Sequence, residues 1–321
     1  MALHSCDKSK EKTYTNTMKN IMIIDGNNIA MRNHHKLPDL QNQSGEPTGA
    51  IYGFFNTLLL LDKKFTPDEF IICWDGGRAA WRKELYPEYK ANRIVSENAD
   101  LFYRQLESIR RMCDMLNNVK TLHVIGYEAD DLIACQVFGM KDYNNIKVYS
   151  SDEDFVQLID FSVSVINPKN DEPTEVLKKY DCSPRHYLYA KCMAGDSSDN
   201  IFGFRGVGIP TALKFIKKIN PATIHNLRDE SVIAKASKAG KVIGQLTKET
   251  FLSIVMRNYS MMSLEYAASI ADNTAIVNAL RIGSFQEDAL LEEFSRYNLT
   301  RHKERIQQFK NITHHANTTQ E

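Results

Sequence analysis

The sequence predicts an α/β fold with a central, mainly parallel sheet, followed by a mainly helical segment. Three observations predict it. Short apolar runs recur at Ile21–Ile24, Phe70–Trp74 and Thr121–Ile125, with a further strand at Ile146–Tyr149, as expected of strands in a buried sheet. Helical patterns alternate with them, the arrangement that builds parallel sheets. Finally, the runs end in or lead to turns that carry Asp25, Asp75, Glu128 and Asp152. The carboxyl ends of parallel strands share one edge, where open α/β sheets hold their ligands.

Met1–Asn20 is polar and lysine-bearing, with no apolar stretch of the secretory kind; residues 1–18 are expected to form a mobile tail. Ile21–Ile24 reads as a strand closed by Asp25-Gly26-Asn27-Asn28, which taken alone is ordinary turn chemistry. From Thr48 a helix presents Ile51, Phe54, Phe55, Leu58 and Leu59 on one face. Phe70–Trp74 is a second strand, ending at Asp75-Gly76-Gly77. Between Arg78 and Arg93 the composition changes. Arg78, Arg82, Lys83, Lys90 and Arg93 interleave with Trp81, Tyr86 and Tyr89. Such a mixture suits single-stranded nucleic acid, cations meeting phosphates and rings meeting bases, and equally a solvated surface segment. Asp100–Asn117 is an amphipathic helix.

The strand at Thr121–Ile125 leads into Gly126-Tyr127-Glu128-Ala129-Asp130-Asp131 and a helix bearing Leu132, Ile133, Val137 and Phe138. A helix start tolerates one acid through its free amides and dipole. Three acids so close together repel too strongly for capping alone, and a bound cation would relieve them. Ile146–Tyr149 runs into Asp152 and Asp154, and Val163–Ile166 adds a fifth strand closed by Pro168. Beyond Lys169 the pattern is mainly helical, with Asp196 and Asp199 as its first landmark. Gly203–Pro210 is a glycine-rich turn opening a helix at Thr211–Lys218, a natural anion site. Asn220–Tyr297 gives helical patterns without evident chemistry, and the polar stretch from Thr300 is expected to fray.

Lys+Arg and Asp+Glu balance at 40 each over 321 residues. Zero net charge argues weakly against nucleic-acid binding but conceals segregated charge. No apolar run approaches the ~20 residues of a membrane span. The six cysteines form no CxxC pair, which fits a reduced, cytosolic-type compartment and argues against a zinc site. A crowd of carboxylates without histidine or cysteine is an oxygen-rich site for a hard cation, Mg²⁺ by default with Mn²⁺ as substitute. More acids than one ion needs suggests two ions, which can clamp an in-line phosphoryl displacement. The lysines and arginines would bring a polyanion to them.

The segments IMIIDGNN, ICWDGG, YPEYKANR, GYEADDLIA, SSDEDFVQL and MAGDSSDNIFGFRGVGIPTA occur in this order between Lys19 and Lys218. Together they resemble the structure-specific 5′ nucleases, also called flap endonucleases or 5′→3′ exonucleases. The chain looks most like the stand-alone enzymes of tailed bacteriophages, related to the N-terminal domain of bacterial DNA polymerase I. The resemblance implies a PIN-like catalytic core at 19–168, with a helical arch about 77–110. It also implies a helical DNA-binding subdomain at 169–321, with a helix–three-turn–helix module about 185–220 and a polar C-terminal tail.

Carried over by position, Asp25, Asp75, Glu128 and Asp130 resemble ligands of a first Mg²⁺, with Asp131 in its shell. Asp152, Asp154, Asp196 and Asp199 resemble ligands or outer groups of a second. Lys90 would contact the scissile phosphate, assisted by Arg93. Arg32, Arg78, Arg82, Lys83 and Tyr89 would meet DNA. Gly206, Val207, Gly208 and Thr211 would grip the duplex, where the family uses K⁺ held mainly by backbone carbonyls. Two departures stand out: Met31 replaces a frequent aromatic that stacks on a base, and Glu153 replaces a usual glycine.

The implied activity is divalent-metal-dependent cleavage of 5′ flaps and recessed 5′ ends, leaving 5′-phosphate and 3′-hydroxyl, in DNA replication and repair. DNA would be the partner of a monomer, with replication proteins as further partners. No membrane is implied, and the location is cytoplasmic, the host cytoplasm if phage-encoded. The alternative is a non-catalytic DNA-junction binder, which loss of acids would favour. A toxin-like ribonuclease is the third reading, and the length of the chain argues against it.

Overall fold

A strand with no polar face must be covered on both sides, and that requirement puts Ile21–Ile24 at the centre of the sheet. The computed structural model describes residues 18–93, 99–228 and 248–315. The expected mobile tail lies outside them except for Met18, as do residues 94–98 of the expected arch. Strand β1 (Lys19–Asp25) pairs in parallel with β2 (Glu69–Trp74) on one side. On its other side lies β4 (Asn144–Tyr149), also parallel. Beyond them β3 (Val119–His123) runs parallel to β2, and β5 (Val163–Asn167) to β4. Short antiparallel strands, β6 (Glu172–Pro173) and β9 (Arg281–Ile282), close the edges in the order β6-β5-β4-β1-β2-β3-β9. The chain changes direction of progress across the sheet at β1, the switch point at which α/β folds open a crevice.

Alternate side chains of β1 face opposite layers. Met22 and Ile24 join Phe54, Phe55, Phe102 and Ile109 beneath helices α1 (Gly26–Lys36), α2 (Gly49–Phe65) and α4 (Ala99–Cys113). Ile21 and Ile23 join Leu132, Ile133 and Val137 of α5 (Ala129–Met140) on the other face. Between β2 and α4 lies the short helix α3 (Ala80–Leu85). Strand β3 ends two residues earlier than its apolar run implies; Ile125 lies beyond it, 86% exposed in the turn toward α5. Pairing with β2, rather than apolarity, sets where that strand stops.

After β6 come α6 (Val176–Tyr180) and α7 (Pro184–Ala194), then a hairpin of β7 (Gly195–Asp196) and β8 (Ile201–Phe202), then α8 (Ile209–Ile219). Ser183 caps α7 by accepting from the His186 amide, with Pro184 in the first turn. The hairpin needs Gly195. Its φ is +77°, and a Cβ there would stand 2.4 Å from the Gly203 nitrogen. Helix α9 (Lys248–Met262) closes a separate apolar cluster around Leu188, Phe204, Leu213, Phe215 and Phe251.

The chain then returns to the sheet, and the expectation of a continuous subdomain at 169–321 is corrected. Helix α10 (Leu264–Ile270) packs on α5, and Ile276 of α11 (Asn273–Ala279) enters the same cluster. The expectation that the chain frays from Thr300 is also overturned. Helices α12 (Glu287–Arg296), α13 (Thr300–Glu304) and α14 (Ile306–Lys310) lie against the core. Leu290, Phe294, Phe309 and Ile312, all fully buried, join Phe54 and Phe55. A few large apolar groups anchor this otherwise polar stretch. Among the described residues no helix is long and apolar enough to cross a membrane.

Candidate active site

Each strand-end acid is fixed by a local hydrogen bond. Asp25 caps α1: its Oδ1 accepts from the Asn28 amide at 3.1 Å and its Oδ2 from Ser150 Oγ at 2.9 Å. Asp75 Oδ1 accepts from the Ala129 amide at 2.8 Å. The loops after β2 and β3 are joined through their backbones, the Gly76 amide donating to Tyr127 O and the Gly126 amide to Gly76 O. Only glycine fits at position 76, since a Cβ would lie 1.8 Å from Val124 O. This junction sets Asp75 beside Glu128. Glu128 begins α5 in a capping box with Asp131. Asp152 Oδ1 accepts from the Asp154 amide at 2.8 Å in the turn after β4. Asp196 and Asp199 arrive from the β7–β8 hairpin.

The acids feel one another. Burial pushes the Asp25 carboxyl up to about 8, with Asp75 and Asp152 adding repulsion. Asp75 reaches solvent through the cleft, yet surrounding protein displaces its hydration. That loss raises its pKa, Asp130 and Glu128 raise it further, and the hydrogen bond from Ala129 opposes them. Lost hydration, then Asp154 and more weakly Asp130, push Asp152 up to about 7. Asp25, Asp75, Glu128, Asp130, Asp152 and Asp154 therefore lie near enough in chain-linked pairs to raise one another's pKa or that of a neighbour. The all-oxygen donor set and the mutual repulsion that raises these carboxyls fit a hard divalent cation. Among the described residues, no three acidic, histidine or cysteine groups already stand in coordination geometry.

Instead, protein cations stand among the acids. Arg82 has a side chain only 2% exposed and lies 2.8 Å from Asp131 Oδ1 and 3.2 Å from Glu128 Oε2. Its Nε donates to the Met261 carbonyl at 3.0 Å. The Tyr89 hydroxyl donates to Glu128 Oε2 at 2.6 Å, and Lys90 Nζ to Glu128 Oε1 at 2.8 Å. Lys90 holds φ at +53°, and its amide donates to Asp199 O at 2.9 Å. Left-handed backbone at a non-glycine residue is costly and persists where surrounding bonds enforce it. Arg93 donates to Asp199 Oδ1 at 2.7 Å.

Within the basic, aromatic segment, two of the residues expected to meet DNA face inward instead. Arg82 and Tyr89 are buried and turned toward acids; Arg78 and Lys83 stay exposed. Buried carboxylates need counter-charge, and Arg82 supplies it. Arg32 donates to the Pro168 carbonyl at 3.0 Å, bracing α1 against the loop after β5. Glu153 lies outside the pairings of those acids: its Oε2 accepts from the Tyr187 hydroxyl at 2.8 Å.

A cleft of about 750 Å³ opens from Asp75, Lys90 and Glu128 past Met31, His34 and His35 to Phe102, Tyr103 and Arg110, with Arg78 and Arg93 also lining it. The sequence reading missed His34, His35, Tyr103, Arg110 and also Lys191, whose ammonium bridges Asp154 and Asp196. Only the demand of a half-buried acid pair for a cation could have pointed to Lys191. At the start of α8, Gly206 has φ +77° and Gly208 and Thr211 are exposed. Val207 buries its side chain and leaves only backbone for contact. No side chain caps α8, so its first amides are open to an anion.

The sequence profile of the 5′-3′ exonuclease N-terminal, resolvase-like domain matches residues 20–182. A 5′-3′ exonuclease of Aquifex aeolicus is 36% identical over 206 residues, 63% of this chain and 70% of that protein. DNA polymerase I of Mycobacterium bovis is 32% identical over 254 residues, 76% of this chain but 27% of the polymerase. Among solved structures, the zinc-bound 5′-exonuclease of phage T5 superposes with a TM-score of 0.64 at 22% identity, covering 88% of this chain and 99% of that one. Flap endonuclease-1 from Methanococcus jannaschii gives 0.57 at 13% identity, covering 93% and 94%. At such identities the structural matches show the shared PIN-like fold alone. The sequence matches define the class, an enzyme of the 5′ nuclease type. Within that class, the chain belongs to the 5′-3′ exonuclease family.

Proposed function

We propose that this protein is a divalent-metal-dependent, structure-specific 5′ nuclease. It cleaves phosphodiesters in 5′-flap and branched DNA and at 5′ ends, leaving 5′-phosphate and 3′-hydroxyl, in replication and repair. The observation that carries this reading is one cleft lined by Asp75 and Glu128 with Lys90, Arg78 and Arg93 on its wall, the hairpin acid Asp199 lying against Lys90 and Arg93.

Asp25, Asp75, Glu128 and Asp130 would hold one ion, with Asp131 behind them on Arg82. Asp152, Asp154, Asp196 and Asp199 would hold a second. Oxygen donors favour Mg²⁺, and Mn²⁺ can substitute. The phage T5 enzyme has been solved with divalent metal ions, which supports the assignment by analogy. When bound, such ions supply the Lewis acidity that phosphodiester hydrolysis calls on. The chain's own groups position the substrate. Lys90 would turn its ammonium from Glu128 to the scissile phosphate and stabilise charge gathering on its oxygens. Arg93, beside Asp199, would assist. Arg78 and Lys83 would meet phosphates nearer the surface, while Arg82, Tyr89 and Arg32 hold the frame. The duplex would sit on the open amides from Gly206 to Thr211, where backbone carbonyls could share K⁺ with a phosphate.

Cleavage of a 5′-labelled flap duplex tests the reading. Products near the junction are expected with Mg²⁺ and none with EDTA. Tight binding without cleavage in Mg²⁺ would instead favour a junction-binding protein.

A further inference from the structure

Lys191 is a cation that the proposed chemistry does not call for. It rises from the last turn of α7, and its side chain is only 13% exposed. Its ammonium lies 3.1 Å from Asp196 Oδ2 and in direct contact with Asp154 Oδ1. The two acids come from different bodies of the fold, Asp154 from the turn after β4 and Asp196 from the hairpin after α7. Beside this bridge lies a void of about 10 Å³ bordered by Asp130, Asp154, Asp196 and Asp199. That volume is about what one water needs. The ammonium therefore uses carboxylates that the second ion would also use.

We propose that Lys191 is an internal counter-ion of the second metal site. Its ammonium joins Asp154 to Asp196 in the metal-free protein, and a divalent ion gains both carboxylates only by displacing it. The proposal rests on the metal-centre reading above. Competition of this kind weakens apparent affinity by the fraction of time the ammonium is away. A DNA phosphate entering the cleft adds negative charge beside the acids and offers the displaced ammonium a new partner. The second ion then loads with substrate rather than before it. The bridge also ties the helical segment to the core while no ion does so.

Mn²⁺ binding to the whole chain without DNA, followed by calorimetry and by the paramagnetic resonance of free Mn²⁺, tests the idea. Wild type should show one tighter step and one weaker step separated by at least roughly tenfold, the weaker being lost in Asp154→Asn. Lys191→Met, similar in length but uncharged, should tighten the weaker step on the order of tenfold and leave the tighter one in place. Its metal-free melting temperature should fall and recover on adding Mn²⁺. Lys191→Arg should retain the weak step. Should Lys191→Met not fold, Lys191→Gln, which keeps a polar head between the carboxylates, gives the same comparison. An unchanged or weakened second step in a natively folded, uncharged variant overturns the counter-ion role and leaves the metal centre standing. Failure of wild type to take up Mn²⁺ at all overturns the metal centre, and this proposal with it.

Discussion

Replacing Arg82 by methionine isolates how the acid loop is held. The guanidinium is almost wholly enclosed and sits 2.8 Å from Asp131, which is fully buried, and 3.2 Å from Glu128. Its remaining donor secures the Met261 carbonyl. Solvent screening is slight at such burial, so the pair does not behave as a weak surface bridge. Methionine fills much of the same volume and restores no charge. Removing one partner of a buried ion pair costs about 3–5 kcal/mol, a large share of the roughly 5–15 kcal/mol that holds a domain folded. Urea unfolding in EDTA, read by circular dichroism, should show a loss of that size at an unchanged slope. Adding Asp131→Asn should recover part of it, because the stranded charge is then gone. A loss below about 1 kcal/mol in the single variant would show that the acids do not depend on Arg82, and the account of the inward-turned segment would fail.

Three further outcomes are expected. Asp152→Asn should abolish cleavage and retain flap binding; full activity would remove the two-ion assignment. Lys90→Ala should lower the single-turnover rate by on the order of 10²–10³, the scale of a lost charge-stabilising donor, with little change in duplex affinity; an unchanged rate discounts its catalytic part. His302 is 1% exposed among Tyr52, Phe294 and Phe309, and burial lowers its pKa to about 4. The folded state keeps this ring neutral while the unfolded chain takes up a proton near pH 6.5. Its contribution is therefore complete above that pH and declines toward pH 4, by about 2 kcal/mol between pH 7 and 5. Urea midpoints at the two pH values should differ less in His302→Phe than in wild type; equal differences would contradict the assignment.

The sequence exposes what depends on local pattern. β1 and β2 hold uninterrupted apolar runs, β4 one broken only by Lys147, and the acids after them follow from where parallel strands end. What it conceals depends on contacts across long separations. Nothing near Arg82 or Tyr89 reveals that Glu128 and Asp131 lie behind them, so interleaved basic and aromatic residues read as a surface. The same holds for Lys191, whose partners stand five residues ahead and 37 residues behind in the chain. The C-terminal helices were hidden for another reason. Phe309 and Ile312 are sparse in a polar stretch, and only the hollow beside Phe55 and Phe294 makes two such side chains sufficient.

The return of the chain to the sheet after Met262 has a mechanical consequence. The helical segment leaves the core after β6 and rejoins it at α10, so it is a loop of structure fastened at both feet. Between those feet it is held again, by α7 packed on the turn after β4 and by Arg82 on the Met261 carbonyl. The helical segment therefore shares one frame with the acids at the sheet edge. Trimming the C-terminus would pull Phe309 and Ile312 out of the floor beneath the strands that carry those acids.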